Sequence, residues 1–481
     1  MLFFGGLISC SAIKTTSVSP PPLMEVKRDT VSQISAQIDK ILDDTLLSPA
    51  FIGIKVVSLN DGKTLYEKNS RKLFHPASNM KLFTTAIALN VLDKGFRFTT
   101  QIFSNGKIED SVLQGDLFVK GSGDPLFTTE DLDSIVNVIH KNGINKINGD
   151  LVGDVSLFDD ENWGYGWMWD DEPNPEEAFI TPLTVNGNSV SVTVKPARSS
   201  GEPVTVELEP QTNFIEIRNA GITSTDTLIP PLTVVRQKHE NVITIQGRVS
   251  PRTPPQIFSF SVWKPELFFL HLLKGKLAGS GVNFNGTIRL DTVKGNTKIA
   301  VLSHSLDSVI IRINKVSYNL ATENLLKIIA AEKRGTPGSA VNGLCVIKEY
   351  LSNIGIDTAS MILADGSGVS FYNCISPDAI VKLLQKQYEN KAMFQRFIES
   401  LPIAGMDGTL KNRMKGSRAE GRVFAKTGTL NGSSCLSGYM KTQGGNFLAF
   451  SIMCNHFPGE RAVLRNVQDK ILELLADWRF K

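Results

Sequence analysis

Three short stretches of the chain carry residue types suited to acyl transfer. Ser78-Asn79-Met80-Lys81 sets a hydroxyl and an amine three residues apart, at the start of a predicted helix. Three-residue spacing on a helix puts both side chains on one face, one turn apart. A neutral amine there can take the hydroxyl proton, and burial or a second nearby cation is what keeps a lysine neutral. The helix start also offers free backbone N–H groups near Ser78 for an oxyanion. The same spacing recurs from Ser11 to Lys14, Ser104 to Lys107 and Ser261 to Lys264. Only at Ser78 does it meet a helix start and an apolar continuation, Leu82, Phe83, Ala86, Ile87 and Leu89. Taken singly, the motif competes with a plain serine cap and a solvated lysine.

Lys426-Thr427-Gly428 occurs once, on a strand predicted over 423–429. A strand edge can pair with an extended peptide substrate, and Gly428 lets that backbone come close. Lys426, Thr427 and Thr429 offer a positive charge and hydroxyls to a terminal carboxylate. Ser317-Tyr318-Asn319 lies between two predicted helices. There Ser317 can relay a proton to a leaving amine, and Asn319 can bond a substrate amide and help hold Lys81. Each stretch alone reads as a strand end or a helix cap. Together, in this order and in these local structures, they form the set shared by penicillin-binding proteins and β-lactamases.

The elements that must position these residues are read from periodicity. Residues 29–47 have helical spacing, with Val31, Ile34, Ile38, Ile41 and Leu42 on one face. Phe51–Ser58 and Thr64–Lys68 read as strands around an Asn60-Asp61-Gly62 turn, and 80–92 as a helix. From about 96 to 260 the chain is rich in Gly, Val, Thr and Asn, with short alternating runs that read as mostly β. Helical character returns over 267–277. Further helices are predicted over 306–314, 320–331 and 341–354. Three strands follow at 422–429, 434–441 and 447–454, and a last helix at 461–478. The simplest architecture is one α/β domain built from both ends of the chain, with material inserted between Lys81 and Ser317.

Composition bounds the rest. With 481 residues, 41% apolar and 21% charged, the chain has the make-up of two or three globular domains. A net charge of +3 gives no case for nucleic acid. Five cysteines form no paired Cys-x-x-Cys, and neither His-Glu-x-x-His nor Gly-x-Ser-x-Gly occurs, so no metal or cofactor is expected. The four later cysteines read as small buried apolar residues. The N-terminal run is too short to span a bilayer. Leu7-Ile8-Ser9-Cys10 resembles a bacterial lipobox, with Cys10 as the lipidation site and a Pro-rich tether after it. Export to the periplasm or cell envelope is expected, although no Lys or Arg precedes the apolar run.

The chain resembles the low-molecular-mass class C penicillin-binding proteins, the D-alanyl-D-alanine carboxypeptidase/endopeptidases. Further stretches carry the resemblance: Gly121-Ser122-Gly123-Asp124-Pro125, 149–158, Gly164-Tyr165-Gly166-Trp167 with Trp169 and Asp170, Asp365-Gly366-Ser367-Gly368, and 401–410. It implies a serine transpeptidase domain with an antiparallel five-stranded sheet flanked by helices. It implies a leader and tether at 1–24, a catalytic domain at 25–95 and 303–481, and two mostly-β insertions, at 96–181 with 250–302 and at 182–249. It further implies that Ser78 attacks the penultimate D-Ala carbonyl, with Lys81 as base and the backbone N–H groups of Ser78 and Thr429 around the oxyanion. Ser317 and Lys426 would pass the proton on, Asn319 would orient the amide, and Thr427 and Thr429 would hold the carboxylate. Peptidoglycan peptides are the implied substrates and β-lactams the implied covalent inhibitors. In two places the chain departs from the family. Tyr318 stands where relatives often have Asp. Phe371 stands where many carry an Arg for the far end of the stem peptide, which leaves Asp154, that Arg's implied acidic partner, alone. The rival readings are a β-lactamase, for whose deacylating water no Glu can be assigned, and a non-catalytic peptidoglycan-binding lipoprotein.

Overall fold

The computed structural model of the chain describes residues 31–295 and 297–478. Cys10 and the leader at 1–24 lie outside these residues. Phe51–Ser58 and Thr64–Lys68 form the expected hairpin, with Gly62 at φ +73° in its turn, a conformation open to glycine. The C-terminal strands run Val423–Leu430, Ser433–Lys441 and Phe447–Asn455. The two ends of the chain meet where Phe51–Ser58 pairs with Phe447–Asn455, Phe51 opposite Asn455 and Ser58 opposite Leu448. The resulting antiparallel sheet has the order Val423–Leu430, Ser433–Lys441, Phe447–Asn455, Phe51–Ser58, Thr64–Lys68. The strand carrying Lys426 is thus an edge.

Both faces of this sheet are covered. Side chains alternate along a strand, so Leu436 and Met440 join one apolar cluster while Cys435 and Tyr439 join the other. The first cluster takes in the helices Val31–Leu42 and Arg461–Ala476. The second takes in Lys81–Val91 and Pro377–Glu389. Every residue from Lys81 to Leu89 is buried. A helix without a polar face belongs in the centre of a fold, and each large apolar side chain it buries contributes about 1.5–3 kcal/mol.

The material between Phe96 and Leu306 builds its own sheets. One has the order Ile288–Leu290, Leu151–Asp154, Leu117–Lys120, Arg97–Ser104, Thr297–Ser305. Two three-stranded sheets lie between residues 189 and 261. One apolar cluster runs through all of it, from Ile102 to Ala300. The stretch read as β also holds a helix, Thr129–Lys141. In the C-terminal part, Pro377–Glu389 and Lys391–Ser400 are helices beyond those expected from periodicity. The cysteines differ from one another: Cys435 and Cys454 are buried, Cys374 is half-buried and Cys345 is exposed, all four as free thiols. Exposure of Cys345 departs from the expectation of a small core residue.

Candidate active site

Ser78 sits in a 3-10 turn, Ala77–Met80, and Lys81 opens the helix that follows. Side chains at i and i+3 eclipse in a 3-10 turn, and Lys81 Nζ lies 3.0 Å from Ser78 Oγ. The turn is clamped from several sides. Asn79 Nδ2 donates to Ser437 Oγ at 2.7 Å in the second strand. The His75 N–H donates to Asn455 Oδ1 at 2.7 Å. Ala77 holds φ +48°, a left-handed conformation that costs a non-glycine residue about 1–2 kcal/mol. A Cβ at Gly428 would lie 2.5 Å from Pro76 O, and one at Gly368 would lie 1.9 Å from Ala77 O. These two glycines therefore make room for the turn itself. Gly428, read from the sequence as room for a substrate backbone, also makes room for its own chain.

The Lys81 amine is fully buried and donates to three oxygens. Besides Ser78 Oγ these are Asn319 Oδ1 at 2.6 Å and Ser367 O at 2.7 Å. Beneath it lie two buried carboxyls that shape the Asp365-Gly366-Ser367-Gly368 loop. Glu323 Oε1 accepts from the N–H groups of Gly366, at 3.1 Å, and Ser367, at 2.7 Å. Asp365 accepts from the N–H groups of Gly368 and Ser370, each at 2.7 Å, from Asn373 Nδ2 at 2.7 Å and from Trp167 Nε1 at 3.0 Å. Burial lowers the Lys81 pKa, Asp365 and Glu323 oppose the shift, and the amine settles at about 8. Burial also pushes the Glu323 carboxyl up, with Asp365 adding to the shift.

Ser317 ends the helix Leu306–Val316 at φ +64°. It does not cap the next helix, whose N-cap is Tyr318. Lys426 Nζ donates to Ser317 Oγ at 2.9 Å and to Thr427 O at 2.8 Å. This lysine is fully buried too. Burial, followed by the charge of Lys81, drives its pKa well below the ordinary lysine value. Asn319 begins the helix Asn319–Arg334. Its Oδ1 accepts from Lys81, and its Nδ2 donates to Glu176 O at 3.1 Å. Thr427 Oγ1 donates to Thr409 Oγ1 at 2.9 Å. Ser78, Ser317, Asn319, Thr427, Gly428 and Thr429 line one cleft of about 670 Å³. Lys81 and Lys426 lie beneath it, each bonded to one of its serines.

The structure does not bring Asp154 to this cleft. It ends the buried strand Leu151–Asp154, and its carboxylate is occupied locally: Oδ1 accepts from Ser156 N–H and Oγ, and Oδ2 from Val293 N–H at 3.0 Å. Phe371 lies in a separate apolar pocket with Tyr165, Ile362 and Tyr372. The acids that do line the cleft are Glu176 and Glu177, on a 3-10 turn held by Asn174. Glu177 is buried, and burial raises its pKa to about 8, with Asp171 and Glu176 adding to the shift. No motif marks this pair, and only the fold brings it over Asn319. Among the described residues, no group of three His, Cys, Asp or Glu side chains is placed to hold a metal. Nor is any helix long and apolar enough to cross a membrane.

This fold, with two serines in one cleft each bonded to a buried lysine, defines a penicillin-binding-type serine acyltransferase. The chain belongs to the D-Ala-D-Ala carboxypeptidase 3 (S13) family, whose sequence pattern matches residues 34–478. It is 34% identical to the D-alanyl-D-alanine carboxypeptidase of Actinomadura sp. (strain R39) over 497 residues, which covers 98% of this chain and 91% of that protein. The crystal structure of penicillin binding protein 4 (dacB) from Haemophilus influenzae superposes with a TM-score of 0.82 at 26% identity, covering 92% of this chain and 99% of that one. The same Haemophilus protein complexed with a β-lactam superposes at 0.77, with the same identity and coverage.

Proposed function

We propose that this chain is an exported serine D-Ala-D-Ala carboxypeptidase and endopeptidase that trims peptidoglycan stem peptides and cross-links, and that β-lactams acylate it. The observation that carries this reading is the pair of hydroxyl–amine contacts in one cleft: Ser78 with Lys81 at 3.0 Å and Ser317 with Lys426 at 2.9 Å. Ser78 Oγ attacks the penultimate D-Ala carbonyl as Lys81 takes its proton, and the oxyanion lies against the N–H groups of Ser78 and Thr429. The proton leaves by way of Ser317, supported by Lys426, to the departing amine. Asn319 orients the substrate amide and fixes Lys81. Thr427 and Thr429 hold the terminal carboxylate, next to Lys426.

Two finer readings belong to the same proposal. Residues 25–95 with 303–481 act as the catalytic unit, and 96–302 as inserted material divided near 182 and 249. Cys10 tethers the protein to a membrane through a lipid, which export to the periplasm or envelope would allow. Digestion of purified muropeptides followed by mass spectrometry tests the activity. Carboxypeptidase action removes one terminal D-Ala, and endopeptidase action turns cross-linked dimers into monomers. A purified, folded enzyme that leaves both unchanged is not the hydrolase described.

A further inference from the structure

Glu177 is the buried acid in the cleft that the steps above leave unused. It is 8% exposed, and its Oε2 is buried with no hydrogen-bond partner. A buried carboxyl oxygen without a partner is costly, and such an atom beside a polar cleft marks a place for water or ligand. The turn that carries it is firmly held. Asn174 Oδ1 accepts from the Glu176 N–H at 3.1 Å, and Asn174 O accepts from the Glu177 N–H at 3.1 Å. Pro173 O accepts from the Ser261 N–H at 3.1 Å. Next along the chain, the Glu176 carbonyl takes the Nδ2 of Asn319, whose Oδ1 holds Lys81. Glu177 is therefore two hydrogen bonds and one peptide from the base beside Ser78, and the two side chains feel each other's charge.

We propose that Glu177 takes the proton of the water that hydrolyses the Ser78 acyl-enzyme, so that the enzyme releases β-lactam acyl groups as well as peptide. This rests on Ser78 being the acylated residue. In the step, the water oxygen bonds to the acyl carbon and gives a proton to the Glu177 carboxylate. The bond from that carbon to Ser78 Oγ breaks, and its electron pair stays on Oγ. Glu177 then gives the proton it took to Oγ by way of the neutral Lys81 amine, which leaves Ser78 protonated, Lys81 neutral and Glu177 a carboxylate for the next turnover. The charged and titratable groups that bear on Glu177 are Asp171, Glu176 and Lys81. Burial, with Asp171 and Glu176 adding to it, keeps it protonated at neutral pH, so release quickens as pH rises through about 8.

The test follows a fluorescent penicillin on the purified full chain, measuring the acylation burst and the later loss of label separately, in the parent and in Glu177→Gln. The expected result is an unchanged burst with label loss slowed about 10²-fold or more, the usual worth of a general base, and loss of the pH-dependent rise. Glu177→Asp should recover part of the rate. An unchanged release rate overturns the proposal, as does a change confined to the KM for a D-Ala-D-Ala peptide, which would make Glu177 a substrate contact. If Glu177→Gln does not fold, Glu177→Asp decides: release as fast as the parent at every pH overturns it. Failure of the burst in the parent counts against the acyl-enzyme itself.

Discussion

At Lys81 two opposing effects meet. Burial strips water from the ammonium, while Asp365 and Glu323 beneath it favour keeping the charge. With a pKa of about 8, roughly one amine in ten is neutral at pH 7 and most are neutral at pH 9. Acylation by a fluorescent penicillin should therefore rise by about an order of magnitude over that range, in stopped-flow traces. A flat profile would remove Lys81 as the base. Stability carries the opposite face of the same shift. The native amine holds its proton less tightly than the unfolded one, so between about pH 8 and the ordinary lysine range the unfolded chain binds more protons. There this site's contribution to stability grows as pH rises. The chemistry-bearing residues were legible because each belongs to a short motif. Glu177 belongs to none, and Asp154 was assigned by analogy of type. A carboxylate in a sequence does not reveal that Ser156 and Val293 already occupy it.

At the scale of elements, periodicity located the sheet well because each of its strands is bounded by turn residues. The Ser78 segment reads in sequence as a helix start, and its tighter 3-10 turn depends on contacts distant in sequence. Among them is the approach of Gly428 to Pro76 O. Gly428→Ala should force that carbonyl and the edge strand apart, cost about 1–3 kcal/mol and lower both the melting temperature and the acylation rate. An unchanged melting curve would contradict the packing described. The helix Thr129–Lys141 was hidden by the β-rich composition around it. Its own signals were present: Thr128 and Asp131 form a capping box, and Leu132, Ile135, Val136 and Ile139 repeat at helical spacing.

Over the whole molecule, the pairing of residues 51–58 with 447–455 joins both ends of the chain in one sheet, and the material between them reaches back to the site. Lys327 pairs with Asp159 and donates to the Glu161 carbonyl. Asn324 Nδ2 donates to Gly123 O at 3.0 Å. Trp167 donates to Asp365, which shapes the loop that holds Lys81. These contacts join residues up to about two hundred positions apart, beyond the reach of any local pattern, whereas the sequence alone reads as material inserted between Lys81 and Ser317. Trp167→Phe leaves a buried carboxylate one donor short and should cost about 1–3 kcal/mol, with slower acylation although the ring lies outside the chemistry. Equal rates in both proteins would detach the insertion from the site. The most direct measurement is peptide mapping by mass spectrometry after a short exposure to penicillin. A single adduct on the peptide containing Ser78, lost in Ser78→Ala, is the result expected. An adduct on another residue, or none on a folded protein, would contradict the account.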